Sequence, residues 1–306
     1  MWKYTLRRIL ATLPTLLTVI TVCYLMLHLT PGGPFDSERK VSAAVLANLQ
    51  AKYHLDLPLW QQYLYYLNNL LHGDLGASFR YADWSVNDLV AKALPVSLLI
   101  GGLSMLIAVL AGVFLGIWAA LRQNSWVDHG LMVFCNIGGS VPSFVIGPLL
   151  VTVFALWLQW LPSGGWNEGQ LRFVVLPVTL LAVINLSTVG RVMRGSLIEV
   201  LSSNFILAAR AKGLPMSTIV LRHALRPALI PVVSVLGPLA ISSITAAVVT
   251  ETWFSLPGLG KLIVNGASNR DYTLVLGLVV LVTFVAVLLN LLVDLAYALL
   301  DPKIRY

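Results

Sequence analysis

YTLVLGLVVLVTFVAVLLNLLV, residues Tyr272–Val293, decides the fold class: it carries no Asp, Glu, Lys or Arg from end to end. As a helix it is long enough to cross a hydrocarbon core about 30 Å thick. Working outward, five more such runs precede it, at Ile9–Leu29, Val96–Leu121, Gly130–Leu158, Phe173–Gly190 and Val232–Thr250. Composition agrees. Hydrophobic residues make up 58% of the chain and charged residues 11%, where a soluble domain carries about 25% charged. Such a chain cannot cover itself with a wettable surface, and backbone polar groups in lipid must be satisfied within helices. The pattern predicts an all-α polytopic membrane protein with six transmembrane helices. The third run holds Pro142 and is expected to kink or to span over only part of its length.

Charge sets the orientation. With the N-terminus inside, the cytoplasmic pieces 1–8, 122–129, 191–231 and 294–306 hold twelve of the 20 Lys and Arg, and the outer pieces eight. The acids sharpen the contrast, because Asp36, Glu38, Asp56, Asp74, Asp83, Asp88, Glu168, Glu251 and Asp271 all fall outside. N- and C-termini are therefore both expected in the cytoplasm. Net charge is +7, but the basic residues flank apolar runs, so the charge reads as membrane orientation and no nucleic-acid partner is assigned. Lys3, Arg7 and Arg8 precede the first run as in a signal peptide. That run is longer than a signal core, and Thr30–Pro34 offers no small-x-small cleavage site, so it is expected to stay as an anchor. Cys23 and Cys135 lie inside apolar runs and read as small buried hydrophobes, with no disulfide and no metal.

The outer stretch between the first two runs holds two amphipathic patterns. Ser42 can cap a helix bearing Leu46, Leu49 and Tyr53. Asp56 can cap another, with Pro58 near its start, a stripe of Trp60, Leu64, Leu67 and Leu71, and Gly73 as its stop. A small cap on the outer membrane surface is the expected outcome, and a docking platform for an external partner is the other reading. Glu251 and Asp294 sit just past the ends of runs and read as interfacial residues rather than proton carriers, as does His28. Trp253–Tyr272 reads either as a structured outer loop or as a re-entrant piece. Pro142, Pro148 and Pro177 are placed to kink spans and open a cavity.

The cytoplasmic stretch Arg191–Pro231 carries the most information. Ser203 or Asn204 can cap a short helix. Gly213 can end it in a left-handed turn, with Arg210 and Lys212 near the negative end of its dipole. Pro215 then opens a second helix with Met216, Ile219, Val220, His223 and Ala224 on one face, ended by Pro227 and Pro231. A helix pair resting on lipid headgroups and a peg inserted into a partner protein both fit this spacing. Ala208, Ala209, Ala211 and Gly213 would let a partner's backbone come close.

This stretch resembles the cytoplasmic coupling motif of the membrane subunits of ATP-binding cassette importers: Glu-Ala-Ala, three residues, Gly, nine residues, Ile-x-Leu-Pro. Ala208, Ala209, Gly213 and Leu225 match. Leu207 replaces the Glu, His223 the Ile and Arg226 the Pro, with Pro227 one residue late. Ala208–Leu214 and Arg222–Ala228 look like the peptide-transporter branch. So do Arg7-Arg8, Ala51–Leu55, Gly73–Gly76, Ser85–Leu89, Arg194–Ser196, Leu256–Gly260, Asn269–Tyr272 and Asp301–Tyr306, in order along the whole chain. The chain is similar to the B-type membrane subunit of oligopeptide permeases.

The resemblance implies the type I importer transmembrane fold. Residues 1–30 would be an N-terminal transmembrane helix and 31–94 an extracytoplasmic loop with short helices. Residues 95–295 would form the core, with a coupling helix at about 203–214, and 296–306 a cytoplasmic tail. It implies one membrane-spanning subunit of an ATP-driven, binding-protein-dependent oligopeptide importer in the bacterial inner membrane. The implied partners are a second homologous membrane subunit, two ATPase subunits, an extracytoplasmic substrate-binding protein and the peptide. Phe205, Ala208, Ala209, Arg210, Lys212, Gly213, Leu214 and Arg222 would form the ATPase-coupling interface. No phosphate loop of the form Gly-x4-Gly-Lys-Ser/Thr occurs in the chain. The subunit would therefore perform no bond chemistry and hold no cofactor, and the partner ATPases would bind ATP and Mg. Dipeptides, glutathione, cell-wall peptides and nickel chelates are the alternative cargoes. A self-sufficient secondary transporter is disfavoured because no carboxylate sits in mid-run. A membrane enzyme is disfavoured because no His-Glu-x-x-His pair and no Asp pair occurs within a run.

Overall fold

The computed structural model describes residues 2–29, 56–81 and 84–300, with side chains described over 13–29, 56–81 and 84–293. Among these residues the secondary structure is helical apart from one isolated antiparallel bridge, Ala77 to Ser85. The helices are α1 (Trp2–Leu29), α2 (Leu59–Leu71), α3 (Val86–Leu121), α4 (Trp126–Ser140), α5 (Ser143–Trp157), α6 (Leu171–Leu201), α7 (Asn204–Ala211), α8 (Met216–Trp253), α9 (Leu259–Ser268) and α10 (Tyr272–Leu300).

Four of them, α3, α6, α8 and the Tyr272–Val293 part of α10, are long and apolar enough to cross a membrane. The pair α4 and α5 meets that standard jointly, bent by 109° at the Val141–Pro142 break. The remaining expected run lies on α1, whose described apolar part is Leu13–Leu29. The kink expected at Pro142 is thus a full break. Pro142 lacks an N–H, and its ring obstructs the preceding turn.

Three expected boundaries move. Helix α3 starts at Val86, ten residues before the apolar run, because Ser85 and Asp88 form a reciprocal capping box that nucleates it in water. Helix α6 continues past Arg191 and Arg194 to Leu201, so the cytoplasmic connection becomes non-helical only from Ser202. Helix α8 runs through Pro227 and Pro231, which were expected to end a short helix, and on through Pro238. Just ahead of Pro227 the helix widens to π geometry over Ile219–Ala224, which relieves the contact between the proline ring and the carbonyl four residues back.

Helices α3 and α6 form the densest pair. Every fourth residue of α3 from Ile100 through Ser104, Ala108, Gly112 and Gly116 to Ala120 is buried. A β-carbon on Gly112 would lie 2.8 Å from Val189, and one on Gly116 2.7 Å from the Gly190 carbonyl. Small residues let the two backbones touch, which is how helices associate where lipid offers no hydrophobic drive.

Two buried carboxylates tie the outer side together. Glu251 sits in the last turn of α8 rather than at an exposed interface. It accepts from the Ser97 hydroxyl of α3 at 2.5 Å and from the Gly260 N–H of α9 at 2.7 Å, while Ser97 Oγ accepts from Leu259 N–H. Asp271, fully buried, accepts from the Ser78 hydroxyl and from the N–H groups of Phe79, Arg80 and Leu274. The segment after α8 is therefore the short helix α9, fastened back onto α3 and α10. Replacing Glu251 by Leu leaves the Gly260 N–H and Ser97 without their acceptor and is expected to cost about 2 kcal/mol. Glu251→Gln keeps one acceptor and is expected to cost under about 1 kcal/mol. Thermal unfolding of the detergent-solubilised protein checks the order.

Helix α2 keeps the expected start near Pro58 and stop at Gly73 (φ 77°), but Pro58, not Asp56, is the capping residue. Its polar side faces α1, where the Tyr63 hydroxyl bonds Thr21 at 2.6 Å and the Tyr24 hydroxyl donates to the Leu59 carbonyl. Trp60, Leu64 and Leu71 point outward, which suits a helix lying on a lipid surface. The expected helix around Ser42–Tyr53, the Thr30–Pro34 segment and the Asp301–Tyr306 end lie outside the described residues.

Candidate cytoplasmic docking surface

The surface is built on the inner end of α6. Arg194 donates Nε and Nη2 to the two carboxylate oxygens of Asp128, at 2.5 and 2.6 Å. Asp128 is 1% exposed and lies in the first turn of α4, where Ser125 Oγ caps its N–H. It also accepts from Asn124 N–H at 2.9 Å. A bidentate pair at a helix start fixes both angle and distance. The short loop between α3 and α4 is thereby clamped to α6, two turns before the chain leaves that helix.

From there Ser202 and Ser203 turn the chain into α7. Ser203 is the capping residue in extended conformation (φ −72°, ψ 153°), but its hydroxyl donates back to the Val200 carbonyl instead of accepting from the new helix. At the far end, Gly213 N–H donates to the Arg210 carbonyl at 2.9 Å and Leu214 N–H to that of Ala209 at 3.4 Å. This paired closure requires a left-handed residue at position 213, where φ is +75°. The left-handed helix end expected at Gly213 is present.

Burial splits α7 into two faces. Ile206 is fully buried and Ala209 9% exposed, both in one apolar cluster with Val189, Met193, Leu197, Ile219, Ala224, Ala228 and Val232. On the other side stand Phe205 at 50% and Leu207 at 52% exposure, with Ala208, Arg210, Lys212, Gly213 and Leu214 also exposed. Arg222 is exposed on the first turns of α8. Of the eight residues expected at the interface, seven are exposed; Ala209 alone is buried. Within α8, Ile219, Val220 and Ala224 are buried as the face analysis expects, whereas Met216 and His223 are exposed, because the wide π turn shifts the face. Sequence reasoning missed Ile206, the anchor that orients the helix, and Asp128, whose signal was the Ser125-x-x-Asp128 cap at the start of an apolar run.

Large apolar side chains are thus left exposed beside cations on a helix anchored from behind by Ile206. A β-carbon on Gly213 would meet nothing within 4 Å, so the space over the turn is open.

The chain matches two family descriptions. Residues 112–306 match the inner membrane component of binding-protein-dependent transport systems, and residues 1–99 match the N-terminal part of such membrane components. It is 53% identical to the oligopeptide transport system permease protein OppB of Salmonella typhimurium and 52% identical to that of Escherichia coli, each over the full length of both chains. It is 39% identical to the dipeptide transport system permease protein DppB of Bacillus subtilis, over all of this chain and 98% of that one. Among solved structures, an inward-facing form of the MetNI methionine ABC transporter superposes with TM-score 0.60 at 17% identity, covering 70% of this chain and 96% of the other. That likeness shows the type I importer transmembrane fold.

Proposed function

The chain belongs to the inner membrane components of binding-protein-dependent transport systems, and from that premise we propose that it spans the bacterial inner membrane as one subunit of an ATP-driven oligopeptide importer. Full-length identity above one half to oligopeptide permeases, against 39% to a dipeptide permease, favours oligopeptides over the shorter cargo. An ATPase and a substrate-binding protein are the partners such a subunit needs. A second membrane subunit completes the path, and ATP with Mg binds the ATPases.

The coupling role rests on one observation, the two-faced burial of α7. Ile206 seats the helix in the subunit's own core, and Phe205, Ala208, Arg210, Lys212, Gly213 and Leu214 face outward for the ATPase, with Arg222 beside them. Helix α7 is the segment through which closure of the ATPase pair pulls on α6 and α8.

A β-branched side chain is strained by roughly 1–2 kcal/mol at the left-handed φ of Gly213, whereas Asn tolerates it. Gly213→Val is expected to leave membrane insertion intact and to cut co-purification of the ATPase subunits about tenfold; Gly213→Asn is expected to retain most of it. Equal ATPase recovery from both variants and the wild type would overturn the coupling assignment.

A further inference from the structure

At the 109° break between α4 and α5 the chain leaves helical geometry between apolar segments. Irregular backbone at that depth persists only where protein or a water-filled cavity surrounds it. A half-open pocket lies beside the break. About 300 Å³ is lined by Gly139, Ser140, Ser143, Asn185, Ser242 and Ser243, contributed by the break, α6 and α8. Asn185 stands fourteen residues into α6, about 21 Å from its outer end. The cavity is therefore well inside the membrane.

The hydrogen bonds within it fix one orientation. Ser243 Oγ donates to the Leu239 carbonyl at 2.7 Å, so it must accept from Asn185 Nδ2 at 2.8 Å. That leaves Asn185 Oδ1, on a residue 2% exposed, with no donor among the described residues. The hydroxyls of Ser140, which is exposed, and of Ser143, which is half-buried, have no hydrogen-bond partner there either. Polar groups that line a pocket at membrane depth are costly unless they bond to something.

Arg191 supplies a charge. It lies six residues beyond Asn185 on α6, about 9 Å toward the cytoplasm. Its guanidinium rests over Gly139, Nη2 lying 3.3 Å from where a β-carbon would stand. Its described partner is the Asn136 side chain at 3.4 Å, not a carboxylate. Gly190, next to it, touches Cys135 and Gly112, nine residues before the cytoplasmic end of α3. Arg191 is exposed on the subunit surface at that inner depth. A guanidinium facing hydrocarbon there is expensive, so this face belongs to an aqueous path or to another protein surface.

We propose that this cavity is a peptide subsite within the membrane, where Asn185 and the serines hydrogen-bond peptide main-chain amides and Arg191 draws the C-terminal carboxylate toward the cytoplasm. The proposal rests on the peptide-importer reading and adds where and by which end the cargo is held. Main-chain recognition suits cargo of varied sequence, because every peptide offers the same N–H and C=O groups. An extended tripeptide covers about 10 Å, which matches the spacing from Asn185 to Arg191.

The test uses the complete importer in proteoliposomes, with its ATPases and binding protein, and a pair of peptides identical except for a free or an amidated C-terminus. Taking each variant's uptake relative to wild type for the same peptide removes any preference of the binding protein. Arg191→Gln is expected to lower uptake of the free-acid peptide about tenfold and of the amide less than threefold, with Arg191→Lys in between. Asn185→Leu is expected to lower both about fivefold while binding-protein-stimulated ATP hydrolysis persists. Arg191 is on the surface, so its variants carry the test even where Asn185→Leu fails to assemble. Equal loss of both peptides in Arg191→Gln marks a structural ion pair with another subunit and overturns the proposal, as does unchanged uptake. Wild-type liposomes that accumulate neither peptide would overturn the peptide reading itself, a result distinct from wild-type uptake that the variants leave untouched.

Discussion

Gly116→Leu is expected to remove the assembled protein from the membrane almost completely. A β-carbon at 116 meets the Gly190 carbonyl and the Met193 side chain, both at 2.7 Å. The Met193 atom at that distance is its β-carbon, which no change of rotamer moves, and the carbonyl belongs to the backbone of α6, so neither can give way. Helices α3 and α6 would have to separate along their whole contact, which also holds Gly112 against Val189 and Gly190. Overpacking costs typically 1–3 kcal/mol when side chains can adjust, and here they cannot, so about 3 kcal/mol or more is expected. Fluorescence-detected size exclusion of the solubilised subunit reads the result directly. Gly116→Ala, with one carbon in place of four, should retain a reduced monodisperse peak. A normal peak from Gly116→Leu would mean that α3 and α6 do not need their backbones in contact.

Arg194→Ala is the second large effect, and it arises from what is left behind. Asp128 stays buried at 1% exposure, with the Asn124 backbone N–H as the remaining donor to its carboxylate. Breaking a buried pair from one side costs about 3–5 kcal/mol. Arg194 is itself 26% exposed at its side chain, so the lower end, about 3 kcal/mol, is expected. Arg194→Lys keeps the charge but loses the two-pronged bond and should fall between. The double variant Arg194→Ala with Asp128→Ala removes the stranded charge and should recover part of the loss. If it is no more stable than Arg194→Ala alone, the pair is not the origin of the effect. Thermal midpoints of the solubilised complex supply the four corners of the cycle.

The apolar runs were legible because lipid imposes a length and a composition that no other environment demands. Their limits were not, because helices extend beyond lipid wherever local chemistry allows. Ser85 and Asp88 start α3 in water, and α6 carries on past Arg194 to Leu201 without unwinding. Prolines misled in the same way. Pro227 and Pro231 would end a helix in water, but in a helix supported by neighbours the lost bond is tolerated. The bounds of α7 were readable from Ser203 and Gly213, since a cap and a left-handed glycine are local features. Its inward face was not, because Ile206 differs from Phe205 and Leu207 only in what α8 places opposite it.

Several fragments that carried the family resemblance now have physical reasons. Asn87 bonds both the Leu75 N–H and the Gly73 carbonyl; Asp271 gathers Ser78, Phe79 and Arg80; Glu251 occupies the space that a side chain on Gly258 would need. These are long-range partnerships, and a linear reading shows each half without the other. The stripe of small residues on α3 was visible in principle. It was overlooked because within an apolar run a small residue looks as hydrophobic as a large one.

The π segment Ile219–Ala224 sets how α8 is turned about its own axis. A turn closed by i→i+5 bonds takes up one residue more than an α turn. Arg222 on the docking side and Ser243 along the membrane path are therefore offset by the extra link that the wide turn absorbs. Tightening it to α geometry would rotate the rest of α8 and carry Ser243 away from Asn185.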